Sequence, residues 1–281
     1  MNKTQYLIST DLDGTLLDHH SYDFTPAIHA IKKLQSLNIP IVLNTSKSLS
    51  EVNDIAHKIN VNPRILVVEN GSALVLPEPL TKNLDLKDKK ITEHGLAIIE
   101  FGRDRIEVAD FLYGIRQEKG WQFSGYMDWD IQQIMDLTGL TEKQAIQSSQ
   151  KEYSEPFIWQ DSEENLVELK KLAREANFHI VKGGRFYHLQ GPCTKATPLA
   201  FLKQHVAQIF PNNNDMKVIA LGDNHNDVAM LNFSDYPICI KSPVNDFPNL
   251  NTQQPTLYSD DYGPVGWCKQ IELLLKKLMI A

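Results

Sequence analysis

Apolar positions along the chain fall into short runs separated by polar stretches, and the first run, over 6–8, is followed at once by the acidic stretch "STDLDGTLLDHH". An apolar run this short, bounded by turn signals, predicts a buried strand. Behind it, Thr25 before Pro26 predicts an N-cap with proline at the first helical position, and Ile28, Ile31, Leu34 and Leu37 recur at helical spacing. The scheme repeats over 41–43, where Ser48 and Glu51 stand at the spacing of a capping box and Leu49, Val52, Ile55 and Ile59 form the apolar face of the next helix. A third run, over 65–68, ends in Asn70 and Gly71, which predict a turn. Strands alternating with helices in this way predict a parallel α/β sheet with helices on its faces.

The alternation stops at "LPEPLTKNLDLKDKK" and resumes at "KATPLAFLKQHV", read as a helix, followed by strands in "MKVIALGDN" and "YPICI" and a final helix in "CKQIELLLKKLM". Between them, Thr141 and Gln144 form another capping box, and Leu166, Leu169, Leu172 and Ala173 share one helical face. The chain therefore reads as an α/β core built from residues 1–84 and 190–281, interrupted by an inserted α+β unit over 85–189. The stretch "NNND" at 212–215 reads as a polar loop.

Composition narrows the function classes. With 42% hydrophobic and 22% charged residues, the chain can bury a sizeable core. A formal net charge of −7 opposes binding to a phosphate backbone, so no nucleic-acid partner is expected. The start lacks an apolar leader, and no segment approaches the roughly 20 apolar residues of a membrane span, so a cytoplasmic location is expected. Cys193, Cys239 and Cys268 lie far apart with no CxxC pair and read as reduced, packed thiols. His19, His20 and His29 read as solvating or capping residues, and Asp18 as a turn residue outside the chemistry.

Four polar groups stand at predicted strand ends or helix starts: "DLDGT" from Asp11, "NTSK" from Asn44, "GPCTK" ending at Lys195, and "GDNHND" from Gly222. Open α/β sheets bind ligands at that edge. Asp11, Asp13, Asp223 and Asp227 offer hard oxygen ligands, which suit Mg²⁺ better than zinc. Thr45 or Ser46 can donate hydrogen bonds to a phosphate, and Lys195 can neutralise one of its oxygens. Any one of the four could be a solvated turn or a capped helix start, but together at one sheet edge they describe phosphoryl transfer.

In this order the four elements resemble the haloacid dehalogenase (HAD) superfamily of aspartate-nucleophile phosphatases, which implies a Rossmann-like parallel-sheet core. The resemblance implies that Asp11 attacks phosphorus to form an aspartyl-phosphate, that Asp13 acts as general acid and base, and that Lys195 with Thr45 and Ser46 holds the phosphate. It further implies Mg²⁺ on Asp11, the Asp13 backbone carbonyl and Asp223, with Asn226 and Asp227 as outer partners. The insertion resembles the type 2 (C2B) cap of the Cof-like branch, a unit that selects the leaving group.

More narrowly, "TDLDGTLLDHH", "VLNTSKS", "VENGSA", "KEYSEPF" and "GGRFYHL" resemble the mannosyl-3-phosphoglycerate phosphatase family, implying hydrolysis of mannosyl-3-phosphoglycerate to mannosylglycerate, a compatible solute. A glycerate carboxylate and a sugar need cationic and hydroxyl-bearing partners, which Lys151, Tyr153, Ser154, Glu155, Lys182, Arg185 and His188 could supply, with Gly183 and Gly184 permitting close approach. Three alternatives stay open: a phosphatase for the glucosyl analogue or another sugar phosphate, a phosphomannomutase-like phosphomutase, and a noncatalytic sugar-phosphate sensor. A sensor should have lost a nucleophile or metal ligand, whereas Asp11, Asp13, Lys195 and Asp223 are all present.

Overall fold

The computed structural model describes residues 3–85, 90–92, 95–184 and 186–279. In chain order the first strands are β1 (Lys3–Thr10), β2 (Ile41–Asn44), β3 (Ile65–Val68), β4 (Ala73–Pro77), β5 (Lys90–Ile91) and β6 (Leu96–Glu100). They are followed by β7 (Phe123–Gly125), β8 (Ser154–Trp159), β9 (His179–Gly183) and β10 (Phe186–Gln190). The last are β11 (Asn213–Gly222), β12 (Tyr236–Lys241) and β13 (Leu257–Tyr262).

Nine of these strands form one sheet in the order β13-β12-β11-β1-β2-β3-β4-β6-β5. The six from β13 to β3 pair in parallel, and β4, β6 and β5 extend the sheet antiparallel. From β1 the chain winds outward through β2 and β3, then returns on the other side through β11 and β12. The crevice between β1 and β11 is therefore the topological switch point, where an open α/β sheet accepts a ligand.

The pleat sorts the apolar runs onto two faces. Ile8, Ile41, Leu43, Leu66, Ile219 and Leu221 pack with Ile31, Leu34, Val52, Trp267 and Ile271 from the helices Ile28–Ser36, Leu49–Ile59 and Gly263–Lys277. Leu7, Val42, Ile65, Val67, Val218 and Ala220 pack on the other face with Leu199 and Leu202 of Thr197–Gln204 and Met230 and Leu231 of Val228–Phe233. Because both faces are covered, these strands read as continuous apolar runs, and the expected α/β class is what folds.

Local expectations fare unevenly. The capping boxes at Ser48/Glu51 and Thr141/Gln144 form as read. Thr25 does not cap: its hydroxyl donates to Asp23 Oδ1, a 3-10 turn spans Thr25–Ala27, and the α-helix starts only at Ile28. The stretch 212–215 is not simply a loop, because Asn213 already begins β11 beside the first residues of β1. The Asn70–Gly71 turn after β3 reverses the chain into the antiparallel β4, whereas β6 is as apolar as the parallel strands and its pairing partner reveals its direction.

A second, four-stranded antiparallel sheet runs β7-β8-β10-β9. The helices Arg105–Lys119 and Glu163–Glu175 cover it through Val108, Leu112, Leu169 and Ala173, packed against Phe123, Phe157 and Phe178. The expected junction near residue 85 precedes β5 and β6, which pair in the nine-stranded sheet. No helix among the described residues is long and apolar enough to cross a membrane.

Gly71, at the turn after β3, couples this framework to the Lys195 segment. Its φ is +97°, and a Cβ there would sit 1.9 Å from the Thr194 carbonyl oxygen. Gly71→Ala is expected to destabilise the protein by more than about 3 kcal/mol and to lower activity by displacing Lys195. Denaturant unfolding followed alongside turnover checks both effects.

Candidate active site

Asp11 leaves the end of β1 with its backbone N–H donating to Leu221 of β11, which fixes it at the switch point. Lys195 is fully buried, and its ammonium donates to Asp11 Oδ1 and to Asp227 Oδ1, each at 2.7 Å. Asn44, at the end of β2, holds the Lys195 carbonyl at 2.8 Å through its side-chain amide. Asp227 is engaged at both oxygens, since its Oδ2 accepts the backbone N–H groups of Asp223 and Asn224 at 3.1 and 3.0 Å. Burial opposes the charge on Lys195, but Asp11 and Asp227 outweigh it and hold the lysine above its ordinary value. Burial pushes Asp11 well above the usual carboxylate range; Lys195 pulls against it, while Asp227, Asp223 and Asp13 add repulsion.

Asp13 sits two residues on, in the turn closed by Gly14 N–H to the Leu17 carbonyl at 2.9 Å. Gly14 has φ +80°, and a Cβ would approach Asp223 Oδ2 to 2.8 Å, so this position requires glycine twice over. Asp13 Oδ2 pairs with Lys47 Nζ at 2.9 Å, while its Oδ1 is buried with no partner among the described residues. Lys47 is held in addition by the Tyr22 ring, 5.3 Å from its nitrogen, and by Glu51 at 4.0 Å. The sequence reading fixed on the hydroxyls of "NTSK" and passed over this lysine; the available signal was its place immediately before the Ser48/Glu51 capping box, at the ligand edge.

The acidic groups suit a hard cation. One carboxylate oxygen each from Asp11, Asp223 and Asp227 lies within 4.8 Å of the others. With all four ionised, the carboxylates Asp11, Asp13, Asp223 and Asp227 against the two ammonium groups Lys47 and Lys195 leave two negative charges, which one divalent cation would balance. Asp227 is already held by Lys195 and two N–H groups, so a cation here would draw its ligands from Asp11 and Asp223, with Asp227 outside them. An all-oxygen set of this kind fits Mg²⁺.

Burial, followed by repulsion from Asp227, pushes Asp223 up to about 7. A carboxyl group raised in the folded state favours folding only below its unfolded value, and that contribution is lost as pH climbs toward the folded value. At pH 8 without a divalent cation, Asp223→Asn is expected to stabilise the protein by on the order of 2 kcal/mol or more while abolishing activity. Asparagine keeps an acceptor for the Thr15 hydroxyl, which donates to Asp223 Oδ1 at 3.0 Å. Thermal melts with chelator should show a rise of several degrees at pH 8 that shrinks toward pH 5.

A cavity of about 560 Å³ opens above these groups, lined on the core side by Asp11, Asp13, Ser46, Lys47, Asp223 and Asn226 and from the inserted unit by Lys151, Gly183, Gly184 and His188. Lys151 donates to the Ser46 carbonyl at 2.8 Å and stands 3.7 Å from Glu51. His188 is buried at the cavity wall with Nδ1 unpartnered among the described residues, and burial together with Lys151 pushes it down to about 3, so it is a neutral imidazole. Thr45 lies beneath the cavity, buried, with its hydroxyl accepting the Lys47 N–H.

Most other expected cap residues are engaged elsewhere. Tyr153 packs in the core and donates its hydroxyl to Glu100, and Ser154 donates to Glu69. Glu155 is fully buried, held by two Arg105 donors, the Tyr113 hydroxyl and the Met127 N–H. Lys182 lies 5.4 Å from the Tyr187 ring and does not line the cavity, and Arg185 lies outside the described residues. Tyr153, Ser154 and Glu155 are structural positions because a buried polar group must be satisfied, and each of the three has found its partner inside the protein. Glu69, overlooked in the sequence, accepts from Glu152, Tyr153 and Ser154 and ties the end of β3 to the start of β8.

Comparison with known proteins agrees with this geometry. Residues 8–246 match the haloacid dehalogenase-like hydrolase family, and the chain belongs to it; it is a phosphoric monoester hydrolase. It is 32% identical over 275 residues to a glucosyl-3-phosphoglycerate/mannosyl-3-phosphoglycerate phosphatase of Persephonella marina, covering 97% of this chain and 98% of that one. A protein of the same name from Methanococcoides burtonii is 30% identical over 274 residues, covering 97% and 98%. Among solved structures, protein 0175 of Thermoplasma acidophilum superposes with a TM-score of 0.65 at 18% identity, covering 99% of this chain and all of that one.

Proposed function

We propose that the protein is a Mg²⁺-dependent phosphatase that hydrolyses mannosyl-3-phosphoglycerate to mannosylglycerate and phosphate. The observation that carries the mechanism is Asp11, fixed at the switch point by Lys195, with Asp13 beside it in the cavity wall. Asp11 attacks phosphorus and forms an aspartyl-phosphate as the P–O bond to the leaving group breaks. Asp13 gives its proton to the departing alkoxide and then takes one from the water that hydrolyses the intermediate. Lys195 holds Asp11 in line, and Ser46, which lines the cavity, donates to the phosphoryl oxygens, with Thr45 shaping the loop from below. Asp11, Asp223 and the Asp13 carbonyl would hold Mg²⁺, which would supply Lewis-acid stabilisation of charge on the phosphoryl group.

In this reading the four-stranded unit is a cap. Its position over the catalytic edge supports a role in selecting the leaving group, with Lys151 and His188 as the cap side chains that meet it. The strand pairings favour a division after β6 and again at the end of β10, later at the first junction than residue 85.

The names of the two relatives favour a second substrate, glucosyl-3-phosphoglycerate, alongside the first. Phosphate release from both glycosyl esters, from 3-phosphoglycerate and from mannose phosphates at matched concentration separates the possibilities. The glycosyl phosphoglycerates are expected to exceed the generic sugar phosphates by at least about tenfold in kcat/KM, the discrimination one good contact provides. Equal rates would remove the substrate and keep the phosphatase, whereas an isomerised sugar phosphate in place of free phosphate would identify a mutase.

A further inference from the structure

The phosphate-binding groups account for Lys195 but leave Lys47, a partly buried lysine in the wall of the same cavity paired with Asp13, with no part in holding the phosphate. We propose that Lys47 reads a carboxylate carried by the leaving group next to the scissile ester. This inference rests on the phosphoglycerate reading above.

Three observations place it there. Lys47 lines the cavity and is bonded at 2.9 Å to Asp13, the group that meets the ester oxygen, so its ammonium stands beside the first atoms of any leaving group. In a 3-phosphoglycerate ester, the carboxylate oxygens are four bonds from that oxygen and roughly 3 to 5 Å away, a span that brings them to Lys47. The lysine is also fixed in position, because the Tyr22 ring lies 5.3 Å from its nitrogen and Glu51 stands at 4.0 Å.

The other lysines are less suited. Lys195 has no exposed surface and spans Asp11 and Asp227. Lys151 lines the cavity, but it donates to the Ser46 carbonyl and stands near Glu51 Oε2, an oxygen that also accepts the Ser48 N–H at 2.8 Å. Glu51 is thereby occupied on the Lys151 side, and of the two carboxylates beside Lys47, Asp13, at 2.9 Å against 4.0 Å for Glu51, is the one within hydrogen-bond distance. Both lysines adjoin the N-terminus of the helix Leu49–Ile59, whose positive end adds to the attraction for an anion.

The test compares 3-phosphoglycerate with glycerol 3-phosphate, two esters that differ in carrying a carboxylate or a hydroxymethyl group, together with mannosyl-3-phosphoglycerate. Wild-type protein should favour the carboxylate esters. Lys47→Met should lower kcat/KM for both carboxylate esters by roughly 10- to 100-fold more than for glycerol 3-phosphate, with most of the extra loss in KM. Lys47→Arg should keep the preference to within a few-fold, and remaining turnover of glycerol 3-phosphate shows that the variants fold. Equal losses on all three esters would overturn the role of Lys47 and leave the phosphoglycerate reading intact. A wild-type protein with no preference for the carboxylate esters would overturn both.

Discussion

Asp11→Asn is expected to lower kcat by at least about 10⁴-fold, because an amide cannot form the acyl-phosphate that divides the reaction into two steps. The substitution is nearly isosteric, and its carbonyl oxygen can still accept from Lys195, which now bonds Asp11 Oδ1 at 2.7 Å. The fold should survive and even gain, since burial and three neighbouring carboxylates already oppose the charge on Asp11. Acid-quenched wild-type protein should carry phosphate from a labelled substrate, and the variant none. Turnover within tenfold of wild type would exclude Asp11 as the nucleophile.

Lys195→Met is expected to have the largest effect on stability. It leaves Asp11 and Asp227 in a buried site without the ammonium that bridges them, and breaking a buried ion pair from one side costs about 3 to 5 kcal/mol. The loss should be greater at pH 8 than at pH 5, because protonating one carboxylate relieves the repulsion between the two. Adding Asp227→Asn should restore part of the lost stability, a coupling that a double-mutant cycle measures. It should not restore activity, since Asp11 would remain without its positioning cation. Urea unfolding of the four proteins at both pH values checks the whole set.

Much of the core was legible because its signals are local. The apolar runs at 41–43 and 65–68 and the Ser48/Glu51 box depend on neighbours a few residues away, and they form as read. Thr25 failed for an equally local reason: Asp23, two residues earlier, takes both the Thr25 N–H and its hydroxyl and displaces the cap. Pairing direction was only partly legible, because the Asn70–Gly71 turn marks the reversal into β4 but β6 is as apolar as the parallel strands and only its partner differs.

In the candidate site the same distinction holds. Asp11, Asp13, Lys195 and Asp223 could be named because each stands in a short motif at a strand or helix terminus. In the second sheet, residue type was a poor guide. Lys151 and His188 reach the cavity, whereas Ser154 and Glu155, on the same short stretch as Lys151, turn to Glu69 and to Arg105. A hydroxyl or carboxylate suited to a sugar is equally suited to a buried partner, and the partner is chosen by packing across elements far apart in sequence.

The sequence by itself determined the core strands β1, β2, β3, β11 and β12 and four of the helices packed on them, the edge at which chemistry is possible, and the residue types of a phosphoryl-transfer site. Each is encoded by periodicity or by a motif spanning a few residues. Only the tertiary structure decided that Lys195 bridges Asp11 and Asp227, that Lys47 holds Asp13, and which residues of the second sheet face the cavity. Those contacts join positions 184, 32 and 34 residues apart, and their geometry exists only once the segments that carry them meet at one edge of the nine-stranded sheet.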